Sequence, residues 1–281
     1  MDPVRDRPDA QSLTDPAPAL RGRPIMSQRW TDLTFLHWRV DPELVAPVFP
    51  PRTEPDVFDG ATWVGLVPFR MVGAGVGRGP GIPWLGTFAE TNVRLYSIDA
   101  NGRRGVLFRS LEASRLATVL GARAVFGLPY MWARMRVRRA GPDIEYTTAR
   151  RWPGPRGAGG RIVVRPGTPL TRTHPLADFL TARWGLHSHR FGRTLYVPNR
   201  HARWPLHEAT LHHLDDTLVA AAGLGGIVDR EPDSVLWSPG VAVEFGMPYD
   251  ARRPTTAGSL TPGRPRRRGA RARARSRAPA G

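Results

Sequence analysis

Between residues 29 and 248 the chain is a succession of short apolar and aromatic segments broken by Gly, Pro and Asn turns, and this pattern constrains its fold more than any other feature. Such segments predict strands over 30–40, 61–71, 88–98, 106–111, 131–139, 144–151, 161–165, 195–197, 204–213, 235–237 and 241–245. Asn101-Gly102 predicts a hairpin between 88–98 and 106–111. Helical signals are few and short. Asp41 caps one helix, with Pro42 in its first turn and Phe49-Pro50-Pro51 ending it. Ser114 caps a second over 115–123, which stops near Gly127-Leu128-Pro129, and Thr173 caps a third running through Phe179 to Arg183. Asp215 opens a fourth, stopped by Gly223, Gly225 and Gly226. Too few helices remain for βαβ units, so the fold class is mainly β with minor α, a barrel or sandwich with appended helices.

The formal charge of +17 is unevenly spread. Residues 251–281 hold ten arginines and no acid, whereas four arginines balance four aspartates over 1–25. The remainder carries +7. The ends read as a disordered leader over 1–25 and a disordered Arg-rich tail over 251–281, flanking one domain over 26–250, because neither end buries enough apolar surface to offset its ordering entropy. Met26 is an alternative start. The tail could neutralise phosphates of nucleic acid, weakly and non-specifically. It has no interleaved aromatic for stacking on bases, and all 41 basic residues of the chain are arginine, which favours a GC-rich coding bias instead.

Absences exclude whole classes of chemistry. Without cysteine there are no disulfides or thiolate sites, and without lysine there is no Walker phosphate loop and no lysine Schiff base. Gly73 to Gly81 looks like a phosphate loop, but no register gives GxGxxG and Pro80 and Pro83 forbid an immediate helix, so it reads as a mobile loop. No serine stands in Gly-x-Ser-x-Gly. The longest apolar run, 218–228, spans eleven residues, short of the roughly 18–20 of a membrane helix. With no secretory signal either, the expectation is a cytoplasmic protein without membrane contact.

Seven of the eight histidines lie between 174 and 213. His207 and His212 mimic a zinc-protease helix one residue out of register; at about 140° apart on a helix they cannot share a metal. On a strand, His207 and His213 face opposite to Glu208 and His212, while His187 and His189 share a face and could make half a site. Structural or surface roles are favoured, with no metal and no cofactor expected. His37, in an aromatic strand, reads as a hydrogen-bonded core residue.

The segment 88–97 is the most suggestive. Strand alternation puts Glu90, Asn92, Arg94 and Tyr96 on one face. That row suits a polar pocket, but composition favours a solvated outer face with cross-strand ion pairs, and Arg94 can pair with Glu90 as readily as fork onto a carboxylate.

Several pieces, in order, resemble the YqjF-like family, a domain of unknown function: Gln28-Arg29-Trp30, Phe35-Leu36-His37-Trp38, Val67-Pro68-Phe69-Arg70, Glu90-Thr91-Asn92-Val93-Arg94, Arg123 to Tyr130, Phe179 to Arg183, Trp204-Pro205-Leu206 and Ser238 to Val241. That family is grouped with acetoacetate decarboxylase. The resemblance implies a closed, cone-shaped antiparallel barrel with the Glu90 face inward. It also implies where decarboxylase chemistry should sit, because those enzymes place their Schiff-base lysine directly after Gly-x-Pro, with a second lysine next. Here Gly127-Leu128-Pro129 is followed by Tyr130 and Met131, and neither forms an imine. The resulting expectation is a small carbonyl- or carboxylate-bearing ligand in a barrel cavity. Glu90 and Tyr130 are the candidate proton-transfer groups, and Arg94, Asn92, Tyr96 and Met131 the candidate ligand contacts. A non-catalytic binding or structural module is the alternative, and oligomeric state is left open.

Overall fold

The computed structural model describes residues 10–13, 17–171 and 174–253. Among them the strand signals are realised as β1 (Met26–Val40), β2 (Thr53–Pro55), β3 (Thr62–Val76), β4 (Phe88–Asp99), β5 (Arg104–Ala113), β6 (Tyr130–Ala140), β7 (Asp143–Trp152), β8 (Gly159–Pro169), β9 (Gly185–Arg190), β10 (Arg193–His201), β11 (His207–Asp216), β12 (Ser234–Phe245) and β13 (Tyr249–Asp250). The helices are α1 (Pro42–Val45), α2 (Leu116–Phe126), α3 (Pro175–Thr181) and α4 (Leu218–Ala221). None is long and apolar enough to cross a membrane.

Pairings run from β5 through β6, β7, β8, β11, β12, β1, β3 and β4 and return to β5, a closed ring that leaves none of these strands as a free edge. The hairpin β9–β10 spans from β5 to β12 and closes a second, smaller ring through β12, β1, β3 and β4. Strands β5, β12, β1, β3 and β4 are common to both rings, and β4 is covered on both faces. In β4, Phe88 and Tyr96 enter one apolar core with α3, Leu186 and Val197. Val93 and Leu95 enter the other, with Ile144, Ile162, Val164 and Leu218. Continuous burial along β4 follows from this double cover.

Several expectations are corrected. The barrel is not purely antiparallel: β5 pairs in parallel with both β6 and β9, because the β5–β6 connection is itself a crossover through α2. Gly73 to Val76 continue β3 rather than forming a loop. Ser114 does not cap α2; its hydroxyl accepts the backbone N–H of Ala89 at 3.2 Å. Thr173 lies outside the described residues, and the cap of α3 is His174, whose Nδ1 accepts the Ala177 N–H at 3.2 Å. Asp216 rather than Asp215 accepts the N–H of Val219 at the start of α4. A register shift between Leu211 and His213 breaks the alternation of β11, so His212 and His213 are both exposed. Of residues 1–25, Gln11 bonds to Gly102 and Arg104, while Leu13 and Ile25 pack against the first core. Residues 254–281 of the expected tail lie outside the described residues.

The two segments expected over 235–245 are one strand, with Gly240 inside it. Its φ is +118°, and a Cβ there would lie 1.8 Å from the Trp30 carbonyl oxygen. Neither backbone can yield without breaking the β1–β12 ladder. Gly240→Ala is therefore expected to cost about 2–3 kcal/mol, read as a fall in the midpoint of denaturant unfolding.

Candidate functional site

The smaller ring encloses a cavity of about 140 Å³. Its apolar wall comes from alternate residues of the surrounding strands, among them Trp30, Phe69, Phe88, Phe108, Leu186 and Phe245. Glu90, Asn92 and Arg94 break this wall from β4, facing inward as the alternation allowed. The alternative of a solvated outer face does not hold, since all three are buried.

Glu90 sits beside Phe69 of β3 in the ladder. Tyr130 reaches it from the start of β6. Gly127 ends α2 at φ +64°, and the Arg123 guanidinium donates to the Tyr130 carbonyl at 2.7 Å. The turned chain projects the phenol into the cavity, where its hydroxyl donates to Glu90 Oε2 at 3.1 Å. Burial pushes the Glu90 carboxyl up to about 8, and the bond from Tyr130 offsets only part of that rise. The Tyr130 phenol is pushed well above its ordinary value by burial and then by the neighbouring carboxylate. At neutral pH the pair therefore holds both protons. Such a pair can donate to a carbonyl oxygen, and Glu90 can exchange a proton with an adjacent carbon.

Arg94 does not pair with Glu90. Its Nε and Nη2 donate to the Tyr96 hydroxyl at 3.1 and 2.9 Å, and Nη2 also donates to the Leu180 carbonyl at 3.0 Å. Gly65, opposite in β3, leaves the room: a Cβ there would meet His37 Nε2 at 3.1 Å and Arg94 Cγ at 3.2 Å. Among the described residues no carboxylate pairs with Arg94. Tyr96 lies behind it, fully buried, off the cavity wall and 2.5 Å from His37 Nε2. It positions the guanidinium rather than touching the cavity. His37 is the core residue expected; burial, then the charges of Arg94 and Arg183, hold its imidazole well below its ordinary value. Met131 is likewise off the wall, because strand alternation turns it away from the side that Tyr130 occupies.

Six further polar residues on the wall, Gln28, Thr118, Thr181, Arg183, Asn199 and His201, were not singled out from the sequence as ligand contacts. Arg183 donates to the Phe179 carbonyl at 2.7 Å and pairs with the buried Asp56. Asn199 and His201 alternate inward along β10 beyond Pro198, where the apolar signal of 195–197 had ended. Thr181 joins them from the end of α3. The available signal was the period of two in Val197, Asn199 and His201.

Elsewhere, His187 is buried while His212 and His213 are exposed. His187 Nδ1 lies 2.8 Å from Ser97 Oγ and its Nε2 3.4 Å from Asp99 Oδ2. The order Ser–His–Asp is that of a hydrolase triad, but Ser97 has no exposed surface and Asp99 is also held by Arg103 at 2.7 Å. No acyl group can reach that hydroxyl. His189 lies 3.3 Å from Thr194 Oγ1 and makes no site with His187. Among the described residues no group of three or more His, Asp or Glu is placed to hold a metal.

A family model described as DUF2071, uncharacterized conserved protein, matches residues 27–242. Protein YqjF of Bacillus subtilis strain 168 is 32% identical over 202 residues, covering 71% of this chain and 82% of YqjF. An acetoacetate decarboxylase-like enzyme from Sphingomonas wittichii RW1 superposes with a TM-score of 0.54 at 14% identity, over 85% of this chain and 94% of its own. The enduracididine biosynthesis enzyme MppR, solved in complex with pyruvate, gives 0.53 at 14% identity, over 83% and 92%. The fold is thus that of the acetoacetate decarboxylase-like proteins, with Tyr130 on the cavity wall directly after Gly127-Leu128-Pro129, and the chain belongs to the YqjF-like DUF2071 family.

Proposed function

We propose that this protein binds a small carbonyl-bearing carboxylate in the cavity, with the carboxylate on Arg94 and the carbonyl towards Glu90 and Tyr130. One observation carries the reading: a buried guanidinium on the wall of the cavity has no carboxylate partner among the described residues, while burial raises the carboxyl of Glu90, the acid of the same β4 row. An uncompensated buried cation is costly and an anionic ligand relieves it. The pyruvate bound by MppR is a molecule of this class. The cavity is close to the roughly 150 Å³ that accommodates benzene, which limits the ligand to a comparable size. No lysine exists to form an imine, so any turnover would be proton transfer next to the carbonyl, with Glu90 as acid/base and Tyr130 as hydrogen-bond donor. Thermal-shift measurements with pyruvate, 2-oxobutyrate and acetoacetate, against acetone and a small amine, test it. The acids are expected to raise the melting temperature by several degrees at saturation. No shift with any acid at millimolar concentration removes the reading.

A second reading, weak association with nucleic acid, is favoured by a groove along β6 lined by Arg70, Arg115, Arg134, Arg136 and Arg151 and by no acid. Residues 254–281 add eight arginines. Binding of a fluorescent single-stranded DNA is expected to fall steeply with salt, and deleting 254–281 to flatten that dependence. An unchanged salt dependence after the deletion would leave the tail without this role.

A further inference from the structure

The groove along β6 does not end at Arg151. A second groove, lined by Leu116, Leu120, Trp152 and Arg156, shares Trp132 and Arg151 with it. Trp132 lies directly opposite Trp152 in the β6–β7 ladder, and residues so paired share a face of the sheet. Two indoles therefore stand along one path whose charged lining is entirely arginine. Trp152 is 46% exposed, and Trp84, which stacks on the groove's Arg115, is 70% exposed. Each of the three rings carries a guanidinium: Arg151 is 4.9 Å from the Trp132 centroid, Arg123 5.4 Å from Trp152 and Arg115 4.2 Å from Trp84. Among the described residues no carboxylate pairs with Arg70, Arg115, Arg134, Arg136 or Arg151. Glu145, opposite Arg138 further along β6, is already held by Arg161 at 2.7 Å.

A path of unpaired cations calls for a polyanion. Arg134 and Arg136 are both exposed and recur every second residue, about 7 Å apart at the backbone, a spacing near that of successive phosphates on an extended strand. The rings decide which polyanion. Sinking these indoles into a lipid surface would drag three guanidinium groups towards hydrocarbon. A nucleobase instead stacks on an indole while the guanidinium stays on the other face. In a duplex the bases are stacked on one another and offer no open face. We infer that this face binds single-stranded nucleic acid, with phosphates along Arg134 and Arg136 and bases on Trp152 and Trp84. The inference rests on the nucleic-acid reading above and moves its discriminating contacts from residues 254–281, which hold no aromatic, to the folded domain.

Fluorescence anisotropy on the full chain tests it, with a labelled strand of twelve thymidines against an abasic strand of equal length and charge. At low salt the thymidine strand is expected to bind at least tenfold more tightly. Trp84→Ala and Trp152→Ala together, both at exposed side chains, are expected to bring it down to the affinity of the abasic strand. Arg134→Ser with Arg136→Ser is expected to weaken both strands alike and to flatten the slope of log affinity against log salt by about 1.4. Equal binding of the two strands, both weakened by the arginine substitutions, overturns the stacking inference and leaves the nucleic-acid reading intact. A thymidine preference that survives both Trp substitutions overturns it too, as does tighter binding of a twelve-base-pair duplex. If neither strand binds, both readings fall together, and binding to phosphatidylserine vesicles in that case assigns the face to a membrane.

Discussion

Arg94→Met is expected to weaken binding of the cavity's acid by about a thousandfold while raising the stability of the empty protein. The two effects have one origin. In the empty protein the guanidinium is buried against neutral partners, the Tyr96 hydroxyl and the Leu180 carbonyl, and among the described residues no carboxylate pairs with it. Replacing it with a thioether of similar length removes a desolvation penalty, and exchanges of buried charge for packed apolar groups are often neutral or stabilising, by about 1–4 kcal/mol. In the proposed complex the same guanidinium would be the carboxylate's counter-ion, and losing one member of a buried ion pair costs about 2–5 kcal/mol of binding. Calorimetric titration with the best acid and thermal unfolding without it give both numbers. A variant that binds as well as wild type removes Arg94 from the site. One that unfolds much earlier when empty shows instead that the Tyr96–Leu180 bonds are its purpose.

Glu90→Gln is expected to remove a large pH dependence of stability. Folded Glu90 titrates near 8, against an ordinary value of 4.5, so between those values the folded protein holds one proton more than the unfolded chain. Its contribution is complete below about pH 4.5 and is lost as the pH rises through 8. Integrated over that window the loss is on the order of 5 kcal/mol. The amide has no proton to lose and keeps a partner in the Tyr130 hydroxyl. The difference in unfolding free energy between wild type and Glu90→Gln should therefore grow in favour of the variant from pH 5 to pH 8. A pH-independent difference would mean that Glu90 is ionised in the folded state and cannot act as the acid. If the pair performs proton transfer, the same variant loses turnover while retaining ligand affinity.

Much of this was legible in the residues. Strand alternation was enough to put Glu90, Asn92 and Arg94 on one face, and Gly127-Leu128-Pro129 marked the turn that delivers Tyr130. The readings that failed did so for identifiable reasons. Met131 was grouped with Tyr130 by adjacency, yet neighbours on a strand point to opposite sides. Tyr96 shares the row but sits one step further along it, behind the guanidinium it holds. Arg183, Asn199 and His201 carried no local signal of convergence, since they meet β4 only through pairings of β9 and β10 with distant strands. The partner of Arg94 was equally open, because i and i+4 on a strand are about 13 Å apart at the backbone and side-chain reach alone does not choose.

The residue order by itself determined which chemistry is impossible here and which side chains travel together: no lysine means no imine, and a repeat of two binds Glu90, Asn92 and Arg94 to a common side. Only the tertiary structure decided which side is covered, and by what. A strand's pattern has two faces and names neither as inner, and β4 has both faces buried because two rings of strands share it. Whether a carboxyl is an acid or a surface charge follows from that cover, since the energy of removing it from water depends on what packs around it rather than on its place in the chain.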